Sequence, residues 1–319
     1  MVNSTEETSY EDYLSLIALG ATLVFAGLPI QSFIVAVNVI DWLKRRSITG
    51  ADQIITSIGI SRIFSHTAVL LALFSSLYVT KIPEVVFALC YLTEYSSAIA
   101  SIWLSTLLSI FFYVKISTFH NVFFLRLKTI ISQRVTYLII GSLLLFLGYT
   151  FIYNFALLIN RFRNSTQDYI SYYKQLEIIS YVNILWFVSP LLIFFIVSLL
   201  LIILLGFHMR RMNNHGNMTS STDTYLRIMR FTFLSFLVSA YYITLNVFQR
   251  YILSFTFVWV FITMNIFPVL HSVLLIYVAV KLRNHFFRIV YCITDRFLKR
   301  KAPRPREPVV VISLQIKKG

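Results

Sequence analysis

Seven apolar stretches, each long enough to cross a lipid bilayer, take up most of this chain. A helix needs about 20 mostly apolar residues to span the hydrocarbon core. The stretches cover residues 13–40, 53–79, 85–114, 135–159, 181–207, 229–253 and 257–280. Hydrophobic residues make up 58% of the chain, mean hydropathy is +0.76, and charged residues are only 13%. A soluble domain carries about a quarter of its residues as charges. At 319 residues the spans and their short connections use the whole chain, so a single all-α bundle is expected.

The connections differ in charge. Odd-numbered connections, which contain Lys44, Arg45 and Arg46, then 115–134, then 210–230, hold eleven Lys and Arg. The N-terminus and the even-numbered connections hold five: Lys81, Arg161, Arg163, Lys174 and Arg250. Basic residues stay on the cytosolic side. This places the odd connections and the C-terminal tail inside and the N-terminus outside. The expected division is an exterior segment 1–12, a seven-span domain 13–280 and a basic cytosolic tail 281–319. Seven spans in this orientation are the topology of G-protein-coupled receptors.

The net charge of +15 does not point to nucleic acid, because eleven of the 28 basic residues lie from Lys281 onward and others sit in short loops beside spans. Attraction to the anionic inner leaflet accounts for them. The first twelve residues carry Glu6, Glu7, Glu11 and Asp12 and no base, so no cleavable signal peptide is expected and span one inserts the chain. So short an exterior leaves the helices and outer loops to take any ligand. The two cysteines, Cys90 in the outer third of span three and Cys292 in the tail, are too far apart to pair. Cys292 follows a basic amphipathic stretch and is either a palmitoylation site or a free thiol. Three Asn-x-Ser/Thr sequons begin at Asn3, Asn164 and Asn217; topology makes the first two glycosylation sites and leaves the third bare.

Enzyme chemistry finds no footing. No Gly-rich phosphate loop is present, and His66, His120, His208, His215, His271 and His285 show no ligand spacing with Cys, Asp or Glu. No metal, cofactor or catalytic residue is therefore expected. Nor do the two halves of the chain resemble each other, as they do in many transporters.

Two ionisable residues fall inside spans, where charge is costly and marks function. Arg62 lies ten residues past Asp52, about 15 Å along a helix and near the bilayer midplane. Gln31 and Ser272 are polar at matching depth, so Arg62 either locks spans one, two and seven together or meets ligand. Glu94 precedes Lys115 by 21 residues, about 31 Å of helix, which puts it at the outer rim. It is either a ligand contact that prefers cations or a rim carboxylate solvated by water or paired with Lys81. Tyr91, Ser97 and Ala98 flank its face. Of the 29 Phe and 19 Tyr, most serve packing or face lipid, whereas Tyr241 and Tyr242 in span six are pocket candidates. So are Trp259, Phe261, Met264 and Asn265 in span seven.

Pro29, Pro190 and Pro268 interrupt spans one, five and seven and give those helices places to bend. Beyond Lys281, Phe286, Phe287, Val290, Ile293 and Phe297 recur at helical spacing among Arg288, Arg296 and Lys299 to Lys301. This predicts a short amphipathic helix on the inner leaflet. Pro303, Pro305 and Pro308 then mark a disordered end.

Joint motifs carry a resemblance. The run Phe33-Ile34-Val35-Ala36-Val37-Asn38-Val39-Ile40-Asp41-Trp42, followed by Lys44-Arg45-Arg46 and Ala51-Asp52-Gln53-Ile54, resembles the type 2 (bitter) taste receptors. Ser61-Arg62-Ile63 continues it, as do Trp103-Leu104-Ser105-Thr106, Leu108-Ser109-Ile110-Phe111 and Lys115-Ile116-Ser117. Pro190, Ser198-Leu199-Leu200, His208, Met212 and His215-Gly216 match around span five. Pro268, His271-Ser272, Leu275-Ile276 and Lys281-Leu282-Arg283 match in and after span seven. The likeness runs from about Phe33 to Arg283, and Asn164 matches the family's usual outer-loop sequon.

The chain also departs from the family. Gln31 stands where an Asn is usual, and Phe112 replaces a Tyr at the cytosolic end of span three. Val278-Ala279 replaces Gly-Asn. Glu94 and Ala98 stand where many members carry a Trp and, one turn below, an Asn, which implies a divergent ligand spectrum. The resemblance implies a plasma-membrane receptor for small bitter compounds, cationic ones included, bound in the outer half of the bundle. It also implies coupling to a heterotrimeric G protein of the gustducin or inhibitory type. Candidate contacts by depth and topology are Phe112, Lys115, Ile116, His208, Arg211, Met212, His215 and Lys281. The competing readings are a vomeronasal type 1-like pheromone receptor, against which the span-one and first-loop pattern argues, and a seven-span channel or transporter. Known seven-span odorant channels keep the N-terminus inside, contrary to the charge bias here.

Overall fold

The computed structural model describes residues 3–78, 84–117, 122–163, 169–213, 220–251 and 257–301. Within them the chain is helical throughout: α1 (Asn3–Leu43), α2 (Gly50–Tyr78), α3 (Glu84–Ile116), α4 (Val122–Gln133), α5 (Val135–Arg163), α6 (Tyr169–Asn213), α7 (Ser220–Tyr251), α8 (Phe257–Val278) and α9 (Val280–Lys301). Within the described residues each of the seven apolar stretches falls on one helix, except that the last, 257–280, ends its helix at Val278 and has Val280 already in α9. Among the described residues five segments are long and apolar enough to cross a membrane: Ile17–Leu43, Gly50–Ser75, Ala88–Ile116, Val135–Ile152 and Val188–Phe207. The stretches expected as spans six and seven correspond to α7 and α8. From the end of α8 the chain turns by 96° into α9.

Local chemistry sets the helix ends. Arg45 has a φ of 54°, the left-handed conformation that commonly closes a helix, and its neighbours fold back on α1. The Arg46 amide donates to the Asp41 carbonyl at 3.0 Å. Thr49 and Asp52 then cap α2 reciprocally. The Asp52 amide donates to Thr49 Oγ1 at 3.2 Å and the Thr49 amide to Asp52 Oδ2 at 3.1 Å. Such a box satisfies amides that the first helical turn leaves without carbonyls. The family-like Ala51-Asp52-Gln53 sequence is thus a helix start.

Helix α2 packs between α1 and α3, α1 also meets α8, α3 meets α5 and α6, and α7 joins α6 to α8. The main core cluster contains Ile34, Val37, Ile58, Leu104, Leu108, Phe111, Leu275 and Leu282, and so joins α1, α2, α3, α8 and α9. Elsewhere large apolar side chains point outward, among them Phe25, Phe74, Leu144, Leu145 and Phe151. Continuous apolar exteriors of this kind suit lipid rather than water.

Two elements go beyond the sequence expectation. The connection 115–134 contains α4, tied to the end of α3 by Lys128 Nζ donating to the Ser117 carbonyl at 3.3 Å. Helix α6 begins at Tyr169, twelve residues before the span read from hydropathy. Polar residues such as Tyr172, Lys174 and Gln175 hid its first turns, because a hydropathy window registers lipid burial and not helix as such. Pro29, Pro190 and Pro268 all lie inside continuous helices.

Candidate functional site

Arg62 on α2 sits at the junction of α1, α2 and α8, 1% exposed. Its Nη1 donates to Ser272 Oγ and to the Pro268 carbonyl at 3.2 Å. Gln31 Nε2 converges on the same two acceptors from α1, at 2.7 Å to Ser272 Oγ and 3.4 Å to the Pro268 carbonyl. Ser272 Oγ also lies 3.0 Å from Gln31 Oε1, with its proton available to that oxygen. The three residues read from sequence as a helix lock are therefore brought together. Ser272 is the bridge; the Gln31 amide binds it instead of touching Arg62. Proline at 268 puts a kink-prone turn where side chains from two other helices take its carbonyl.

Around this knot lies a layer of polar and aromatic groups. His66, one turn from Arg62 on α2, is 0% exposed, and Asn265 of α8 faces it. Gly27 on α1 makes room for the ring: a Cβ there would stand 2.7 Å from His66 Nε2. Phe267 stacks on Tyr242 of α7 with centroids 4.6 Å apart, and Arg62 Cζ lies 5.9 Å from the Phe267 ring centre. His271 packs against Phe267 and Phe231. Tyr242 and Asn265, both pocket candidates, are thus buried in this layer, whereas Tyr241 is 55% exposed on the outside of α7.

Helix α3 carries the other candidates. Glu94, Ser97 and Ala98 are half-buried on it. Lower down, Thr106 Oγ1 donates to the Pro190 carbonyl of α6 at 3.0 Å. At its C-terminal end Phe112 packs edge-on against Phe111, Lys115 Nζ lies 5.9 Å from the Phe111 ring centre, and Ile116 is half-buried. Lys281, foreseen as a cytosolic contact, is engaged within the chain: its Nζ meets Asp41 Oδ2 at 2.9 Å and Asn38 Oδ1 at 2.8 Å. Asp41 in turn holds Arg46 at 3.1 Å.

The side chains of Asn3, Tyr91, Phe261, Met264, Trp259, His208, Arg211 and Met212, and all of Lys81, Asn164, His215 and Asn217, lie outside the described residues. Cys90 and Cys292 are free thiols. Sequence reasoning did not foresee His66 as a partner of Arg62, though the i,i+4 spacing signals a shared face. Nor did it foresee the bridge from Lys281 to Asp41. Those residues stand 240 positions apart, and only the packed bundle shows them as neighbours.

A sequence profile described as Taste receptor protein (TAS2R) matches residues 10–294. The chain is similar to taste receptor type 2 member 140 of Rattus norvegicus, 32% identical over 286 residues that cover 84% of this chain and 90% of that protein. It is likewise similar to taste receptor type 2 member 50 of Macaca mulatta, 30% identical over 224 residues covering 65% of this chain and 71% of the relative. The Homo sapiens member 50 is 28% identical over 218 residues, with the same coverages of 65% and 71%.

Proposed function

This chain belongs to the taste receptor type 2 family, and from that premise we propose that it senses small, often cationic bitter compounds in the outer half of a seven-span bundle. Membership makes it a bitter taste G-protein-coupled receptor of the multi-pass membrane class and not an enzyme. The finer reading places the N-terminus outside the plasma membrane, glycans on Asn164 and Asn3, and a gustducin or inhibitory-type G protein at the cytosolic face. Under it residues 1–12 are exterior, 13–280 form the receptor domain and 281–319 the cytosolic tail.

One observation carries the ligand and coupling proposal. Helix α3 is unbroken from Glu84 to Ile116 and touches α2, α5 and α6. A half-buried carboxylate at Glu94 and a cytosolic end at Lys115 are therefore rigidly joined across about 31 Å. A cation gains most from a carboxylate that is partly withdrawn from water. Ser97, Ala98 and Tyr91 flank that carboxylate, and Tyr242, Asn265, Phe261 and Met264 are the further candidates on α7 and α8; Tyr241, exposed on the outside of α7, faces away from them. Ligand binding would favour, in a pre-existing equilibrium, the form whose cytosolic face opens. There Phe112, Lys115, Ile116, His208, Arg211, Met212 and His215 would meet the G protein, with Lys281 freed from Asp41.

The test is intracellular calcium in cells that co-express the chain and a gustducin-type chimeric Gα, read across cationic and neutral bitter compounds. Glu94→Gln should abolish responses to cations by tenfold or more in potency and spare neutral agonists. Equal responses in both forms would move the pocket away from Glu94. Silence in cells with confirmed surface expression would reopen the ligand class.

A further inference from the structure

We propose that the buried centre of the bundle holds one small inorganic anion, a halide such as chloride, among Arg62, His66 and His271. Arg62 is a guanidinium 1% exposed, and among the described residues no carboxylate pairs with it. The candidate acids are committed elsewhere: Asp41 to Lys281 and Arg46, and Asp52 to the Thr49 cap. Glu94, half-buried on α3, forms no ion pair with Arg62 among the described residues. Only Nη1 of Arg62 is used, on Ser272 and Pro268. Its Nε and Nη2 find no acceptor among the described residues.

The neighbours repeat the pattern. His66 is 0% and His271 1% exposed. Nδ1 of His271 completes no hydrogen bond within the described residues, and the His66 ring has the Asn265 side chain as its polar neighbour without a well-formed hydrogen bond closed between them. These groups share one place: His66 lies a single turn from Arg62 on α2. Phe267 stands beside both Arg62, 5.9 Å from its Cζ, and His271, 5.8 Å between ring centroids. The cluster is thus rich in buried donors around one uncompensated positive charge. Water can accept from donors but brings no charge, and a cation in an apolar interior is stabilised chiefly by an opposite one. The enclosure favours a monatomic ion. All three side chains are sealed from solvent.

The experiment is thermal unfolding of the full-length purified receptor at constant ionic strength, in chloride, bromide or gluconate. Chloride and bromide should raise Tm above that in gluconate by roughly 2–4 °C, the scale expected for a site well occupied at physiological concentration. Arg62→Gln keeps a donor toward Ser272 while removing the charge, and His66→Leu removes one ring; each should flatten the dependence. Should Arg62→Gln fail to fold, His66→Leu carries the test alone. Equal Tm in chloride and gluconate overturns the proposal in favour of water. A halide dependence that persists undiminished in a folded variant overturns it too, by placing the ion elsewhere. Because stability is the readout, the outcome is independent of agonist and G protein.

Discussion

Ser272 shows how much of the bundle hangs on one hydroxyl. It receives hydrogen bonds from Arg62 on α2 and Gln31 on α1 while sitting on α8. Bonds from a charged donor contribute about 1.5–3 kcal/mol, and a buried donor left without its acceptor costs a similar amount. Ser272→Ala removes only an oxygen but leaves the Pro268 carbonyl as sole acceptor for two side chains. It should lower stability by about 1–3 kcal/mol, visible as a fall in the Tm of the purified receptor. An unchanged Tm would mean that the carbonyl alone suffices. The three members of this lock were legible in the sequence because polar groups in apolar helices are few, and equal depth selects among them. The direction of the bonds was not legible. Whether Gln31 reaches Arg62 or Ser272 depends on the rotation of α1 about its axis, which hydropathy does not encode.

The elements are joined by two kinds of tie. Apolar packing sets which helices touch, and single polar contacts set how they register. Thr106 takes the Pro190 carbonyl between α3 and α6, just as Arg62 and Gln31 take the Pro268 carbonyl, so the carbonyls of both helix-interior prolines are held from outside their own helix. Where α1 ends and α9 begins, Asp41 and Lys281 form the corresponding tie at 2.9 Å. Lys281→Asp should loosen α9 from α1 and reduce surface expression or raise basal signalling. The double exchange Asp41→Lys with Lys281→Asp should restore both, as measured by flow cytometry and basal calcium. Failure of the exchange to rescue would assign Lys281 to a partner outside the chain. Helices α1, α2, α3 and α5 were plain in the sequence, since apolar runs in a bilayer have no other stable form. Helix α4 was not, because a helix of 12 residues is too short to leave the hydropathy signal of a span.

For the molecule as a whole, the proposed orientation rests on where the bases lie, and a glycan tests it directly. Enzymatic deglycosylation of receptor from cell membranes should sharpen its band, and Asn164→Gln should remove most of that change. Modification at Asn217 would instead invert the topology. The family was readable over most of the chain because its motifs are spaced along several helices at once. The ligand was not, since Glu94 and Ala98 occupy positions where the family pattern differs, and a pocket depends on side chains that several helices contribute together.

The 96° turn between α8 and α9 has a mechanical meaning. Two rods joined at a right angle form a crank. Helix α9 has 22 residues, which makes an arm about 33 Å long at the usual helical rise. A twist of α8 about its own axis by about 10° would carry the far end of that arm sideways by about 6 Å. A motion too small to repack the core thus becomes a wide sweep of the far end of α9, and the Asp41–Lys281 bridge lies close to the pivot, where it ties α9 to α1.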